Sequence, residues 1–131
     1  MDGTERLTAH FSVAEMACAC CGEAPMDPGF MAQLEALRLE YDAPMVISSG
    51  YRCPAYNVRV ASTGASGPHT TGRAADVLVS GPGAYTLLRL ALAHGFTGIG
   101  IKQHGKHDAR FLHLDNLNGT LRPQPCIWSY R

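Results

Sequence analysis

Apolar and polar residues recur with two different periods along this chain, and the change of period predicts where helices give way to strands. Phe30, Leu34 and Leu37 fall at helical spacing behind Asp27-Pro28, an N-cap aspartate with proline at the first helical position. That stripe predicts a helix packed into the core. Ser12-Val13-Ala14-Glu15 has the hydroxyl and carboxylate of a capping box and predicts a short helix before it, with the Cys- and Gly-containing stretch 18–25 as loop. Met45-Val46-Ile47 is β-branched enough for a strand, which runs into Ser48-Ser49-Gly50-Tyr51-Arg52, and Pro54 opens another short helix carrying Asn57 and Val58. Residues 61–72 are rich in Ser, Thr and Gly, so His69 sits in or just after a loop. Residues 74–79 predict a strand. Gly81-Pro82-Gly83 then breaks the chain before a helix over 84–94, apolar at Leu87, Leu88, Ala91 and Leu92. Strands are predicted at 97–102 and 110–115 with a polar loop between, and 116–131 reads as an irregular tail whose Trp128 and Tyr130 pack back on the body. No internal repeat or linker interrupts this order. The fold class is therefore α+β: a small antiparallel sheet with helices supplied mainly by the N-terminal half.

Size and charge narrow the function. A chain of 131 residues supports one domain, residues 1–131, with a real core. Eleven Lys plus Arg balance 11 Asp plus Glu, and no basic stripe stands out. Nucleic acid and anionic membranes are thereby disfavoured as partners. No apolar stretch approaches the roughly 20 residues that cross a bilayer. No apolar run follows Met1-Asp2-Gly3-Thr4-Glu5-Arg6, so no signal peptide is visible. The expectation is a monomer made in the cytoplasm, reaching any target outside it by release or delivery. Five cysteines, Cys18, Cys20, Cys21, Cys53 and Cys126, disfavour a full disulfide framework. Cys18, Cys20 and Cys21 read as packed too tightly for the usual C-x₂₋₄-C zinc spacing, so small buried thiols or one stray disulfide are expected.

The chemistry concentrates in Ser66-Gly67-Pro68-His69-Thr70-Thr71-Gly72-Arg73-Ala74-Ala75-Asp76 and in His113-Leu114-Asp115. His69, Asp76 and His113 form a three-ligand set of the kind that holds catalytic zinc and leaves the fourth position to water. Zinc lowers the pKa of that water toward neutrality, which predicts a metallohydrolase. Strand alternation lets His113 and Asp115 point into one cleft together and sends Leu112 and Leu114 into the core. His10, His94, His104 and His107 have no comparable partners. His104 and His107 share a polar loop with Asp108 and read as solvated.

Ser49-Gly50-Tyr51-Arg52, the stretch 66–76 and Phe111-Leu112-His113-Leu114-Asp115 resemble the M15 family of zinc peptidases. That family includes D-alanyl-D-alanine carboxypeptidases and L-alanyl-D-glutamate endopeptidases of bacterial cell-wall peptides, phage lysins among them. Residues 11–21, Met26-Asp27-Pro28, Gly98-Ile99-Gly100 and Trp128-Ser129-Tyr130 extend the likeness over nearly the whole chain. The resemblance implies the hedgehog/DD-peptidase fold, Zn²⁺ on His69, Asp76 and His113, and peptidoglycan stem peptides as substrates. Many members carry the catalytic acid three residues before the last zinc histidine, where this chain has Arg110. More similar members carry H-x-D, so Asp115 becomes the candidate base with Asp108 in reserve; the alternative is that Asp115 orients a ligand histidine from behind. Gly67 stands where many relatives have a serine, and Ser66 precedes it. Arg52, matching the family's arginine, is the candidate to bind a substrate carboxylate through its planar fork, against the alternative of a loop-pinning salt bridge. The resulting expectation is a zinc peptidase cutting between L-alanine and D-glutamate. Its rivals are a D-alanyl-D-alanine carboxypeptidase and a non-catalytic zinc-binding module of the same fold.

Overall fold

The computed structural model describes residues 5–119 and 123–131. Residues 1–4, where the signal-peptide reading begins, and 120–122, within the tail read as irregular, lie outside the described residues. In chain order the elements are α1 (Val13–Met16), α2 (Pro28–Tyr41), β1 (Val46–Ser49), α3 (Pro54–Val60), β2 (Ala74–Leu78), α4 (Gly81–Ala93), β3 (Gly98–Lys102), β4 (Phe111–Asp115) and β5 (Cys126–Ser129). Single 3-10 turns cover Pro68–Thr71 and His107–Ala109. Both expected helix starts form by their local chemistry. The Ser12 and Glu15 side chains complete a capping box on α1, and the Asp27 carboxylate accepts the Phe30 amide at the head of α2.

The strands form one mixed sheet in the order β1-β2-β4-β3-β5. The four strands β1 to β4 pair antiparallel as expected, but β5 adds to β3 in parallel, which corrects both the all-antiparallel sheet and the irregular tail. The four-residue β5 is half-exposed in alternation and gains its ladder only from β3, a partner brought by tertiary folding. A second correction concerns α4, which starts at Gly81 rather than after Gly83. Pro82 lies in the first turn, where its missing N–H costs nothing. Leu92, expected on the apolar stripe, is 58% exposed, while Ala84, Leu87, Leu90 and Ala91 are buried.

One face of the sheet is core. Val77, Ile99, Leu112 and Leu114 join Phe30, Leu34 and Leu37 of α2 and Leu87 and Ala91 of α4 in a single buried cluster. Burying side chains of this size contributes about 1.5–3 kcal/mol each, enough to fix strand register. The intervening residues therefore turn to the other face. There, Ser49, Asp76, His113, Gly100 and Trp128 lie directly across from one another on five successive strands.

Candidate metal centre

That cross-strand row places Asp76 and His113 side by side, and the 3-10 turn Pro68–Thr71 brings His69 over them. The turn is closed by Thr70, whose hydroxyl accepts the Gly67 amide and donates to the Gly67 carbonyl. The Arg52 amide donates to the His69 carbonyl, tying the β1 exit to the same turn. Three ligand atoms converge: His113 Nδ1 lies 3.2 Å from His69 Nε2 and 3.0 Å from Asp76 Oδ1, and His69 Nε2 lies 3.2 Å from Asp76 Oδ1. Tetrahedral zinc with ligands at about 2.0–2.2 Å needs edges of roughly 3.3–3.6 Å. The triangle matches within a few tenths of an ångström.

The outer nitrogens set the tautomers. His69 Nδ1 lies 2.7 Å from the Gly50 carbonyl, which can only accept, so Nδ1 carries the proton and Nε2 presents its lone pair. His113 Nε2 lies 2.7 Å from Asp115 Oδ2, which accepts that proton and leaves Nδ1 as a donor to metal. Two imidazole lone pairs and a carboxylate oxygen thus face one another inside the protein, an arrangement that suits a divalent cation at their centre. Burial pushes Asp76 up, but the adjacent His69 and His113 outweigh it and hold the carboxyl well below its ordinary range. For His69 burial dominates and lowers the imidazole, whereas for His113 the Asp115 and Asp76 carboxylates overcome burial and raise it.

Residues 9–115 match the family model described as Peptidase M15. The chain belongs to the M15 peptidase family. Its members are metal-dependent peptidases, so this M15 peptidase acts on peptide substrates and has in His69, Asp76 and His113 a group able to bind the metal. No curated protein matches the chain. Among the described residues no helix is long and apolar enough to cross a membrane.

The remaining expected site residues separate in space. Asp115 is fully buried on the far side of His113 from the three convergent atoms, and its Oδ1 accepts from the Leu117 amide at 3.3 Å and from Gln124 Nε2 at 2.9 Å. Gly98 makes this possible, since a Cβ there would stand 2.2 Å from Asp115 Oδ1. Asp108 lies in the exposed 3-10 turn His107–Ala109 and is not among the residues lining the cleft. Arg52 borders the metal residues, with Nη2 3.5 Å from Asp76 Oδ2, Nε donating to Ser49 Oγ and Nη1 to Asn57 Oδ1.

The three metal residues open into a cleft of about 840 Å³. Its walls include Arg52, Lys102, Phe111, Trp128, Tyr130 and Arg131. Several of these contributors escaped the sequence reading. Trp128 packs against His113 with the rings tilted by 53° and their centroids 5.0 Å apart, because Gly100, between them in the row, has no side chain to intervene. Asn57, 1% exposed, donates to Thr63 Oγ1 at 2.8 Å while accepting from Arg52. Thr63 fills the space at Gly67, where a Cβ would meet its Oγ1 at 2.3 Å, so any larger residue there would have to displace Thr63. The Trp128-Ser129-Tyr130 signature and a buried asparagine beside a reactive segment were the available signals.

Proposed function

We propose that this peptidase is zinc-dependent and hydrolyses the stem peptides of bacterial peptidoglycan, cutting between L-alanine and D-glutamate. The observation that carries the reading is the His69, Asp76 and His113 triangle opening into a cleft bordered by Arg52, Lys102 and Arg131. Held there, zinc supplies Lewis acidity and a water acidic enough to attack an amide at neutral pH. The chain's own groups do the rest. Arg52, aimed by Ser49, Asn57 and Asp76, offers its guanidinium to a substrate carboxylate, which stem peptides carry at several positions. Trp128 and Tyr130 give one wall an apolar surface for the peptide backbone and alanine methyls. Asp115 keeps the proton on His113 Nε2 and so keeps Nδ1 available, acting through the histidine. The cleft volume suits an extended peptide stretch rather than a terminal D-alanine alone, which favours an endopeptidase. The protein meets its substrate after release from, or delivery across, the membrane.

A specific observation keeps a non-catalytic zinc module in view: among the described residues, Asp76 is the only carboxylate side chain lining the cleft. Digestion of purified peptidoglycan, with fragments identified by mass spectrometry, separates the readings. New amino-terminal D-glutamate supports the proposal, and free D-alanine alone reassigns the bond to a carboxypeptidase. Full zinc content with no fragments makes the domain a binding module.

A further inference from the structure

Away from the cleft, three thiols lie close together. Cys18, Cys21 and Cys53 have Sγ atoms all within 4.8 Å of one another, although Cys53 comes from the far end of the β1 exit loop. All five cysteines are free thiols. Cys18 and Cys21 are in fact spaced C-x₂-C, a relation hidden in the sequence by the intervening Cys20. The turn between them is built for ligation. The Gly22 amide donates to the Cys18 carbonyl at 2.8 Å, and Gly22 takes φ +76°, a left-handed conformation that glycine adopts without strain. The Cys53 amide donates to Cys18 Sγ at 3.3 Å, and the backbone amides of Cys21 and Cys20 also point at that sulfur. Backbone donors converging on a sulfur stabilise a thiolate, the form that binds metal.

We propose that Cys18, Cys21 and Cys53 form a second metal site, whose three sulfurs would hold a thiophilic divalent cation, zinc. Tetrahedral zinc with sulfur at about 2.3 Å requires S···S separations of about 3.8 Å, reachable from the observed cluster by small side-chain rotations. The site differs from the cleft in chemistry, three sulfurs against two nitrogens and an oxygen. Its consequence is mechanical. It fastens the segment between α1 and α2 to the residue next to Arg52, reinforcing the bond from the Tyr51 amide to the Met16 carbonyl. The cation thus pins the loop that presents the guanidinium to the cleft.

The test uses the whole chain, stripped of metal under reducing conditions and reloaded with Co²⁺ or Zn²⁺. A cobalt–thiolate charge-transfer band in the near ultraviolet is expected in the wild type and in His69→Ala, and absent from Cys18→Ser. The nitrogen and oxygen ligands of the cleft cannot produce it, so the result is independent of the peptidase reading. With zinc bound, three of the five thiols should resist a thiol reagent and become reactive on chelation. Wild-type protein that binds cobalt with no thiolate band, with all thiols equally reactive with and without zinc, overturns the proposal. So does a mass two hydrogens low after aerobic purification, with a disulfide mapped between two of the three that metal does not prevent.

Discussion

Replacing Asp115 by Asn separates a positioning carboxylate from a proton-accepting one. In the native protein Oδ2 takes the proton of His113 Nε2 at 2.7 Å, while Oδ1 takes hydrogens from Leu117 and Gln124. Asparagine offers one oxygen and one NH₂ group to the same positions. If NH₂ replaces Oδ1, it confronts two donors in a fully buried site, at a cost of about 1–3 kcal/mol for the groups left unsatisfied. If it replaces Oδ2, it donates to His113 Nε2, and the ring proton moves to Nδ1, the atom facing His69 and Asp76. The second arrangement costs less because an imidazole can exchange tautomers. It blocks the metal-binding lone pair. Loss of a partner behind a ligand histidine weakens metal binding by about 10–100-fold. Losing a charged hydrogen bond of about 1.5–3 kcal/mol gives an overlapping range of about 10–150-fold. Zinc affinity is measured by competition against a chelating indicator, and turnover on muropeptides at saturating zinc. The expected result is weaker zinc binding by about 10–100-fold, with kcat recovering to within about tenfold when zinc is saturating. Native zinc affinity with kcat lower by about 10²–10⁴ would refute the reasoning and make Asp115 the general base.

Three further outcomes follow from particular contacts. Arg52→Ala should keep its zinc and lower kcat/KM by about 10–150-fold through loss of a charged hydrogen bond to substrate, and an unchanged kcat/KM on stem peptides would remove Arg52 from recognition. Gly98→Ala drives a Cβ into the Asp115 carboxylate. It should destabilise the fold by about 1–3 kcal/mol in denaturant titration and weaken zinc binding as well, whereas a neutral effect on both would contradict the packing at β3. Glu35 accepts hydrogen bonds from Thr8 Oγ1 at 2.7 Å and from the His10 amide at 2.9 Å. Burial pushes this carboxyl up, but Thr8 and His10 outweigh it and hold it below its ordinary value. A depressed carboxylate stabilises the fold above its unfolded pKa and loses that contribution as pH falls through the folded one. Glu35→Gln should therefore cost about 1 kcal/mol at pH 7 and progressively less as pH falls through the folded pKa, and a pH-independent difference would deny the ionic contribution.

The parts of this protein written in local chemistry were legible before the structure was known. Ser12 with Glu15 and Asp27 with Pro28 announce helix starts, because a cap needs only its neighbours along the chain. Period-two alternation assigned Leu112 and Leu114 to the core and His113 and Asp115 to the opposite face. The misses were matters of distant pairing. β5 exists because β3 offers it an edge, and a four-residue segment carries too little pattern to reveal that. Cys53 meets Cys18 only after β1 has been laid beside α1, and reading three clustered cysteines as one crowded group concealed the C-x₂-C pair within it. Alternation also tells the face a side chain occupies and not which side of a neighbouring ring it touches. The position of Asp115 behind His113 follows instead from Gly98, whose missing side chain leaves the space.

The most direct test of the metal centre is an anomalous difference map at the zinc absorption edge, from crystals of the protein purified with its native metal. The arrangement predicts a peak bonded to His69 Nε2, Asp76 Oδ1 and His113 Nδ1 at about 2.0–2.2 Å from each. A map with no peak there, in zinc-replete crystals that keep the three side chains in place, would contradict it.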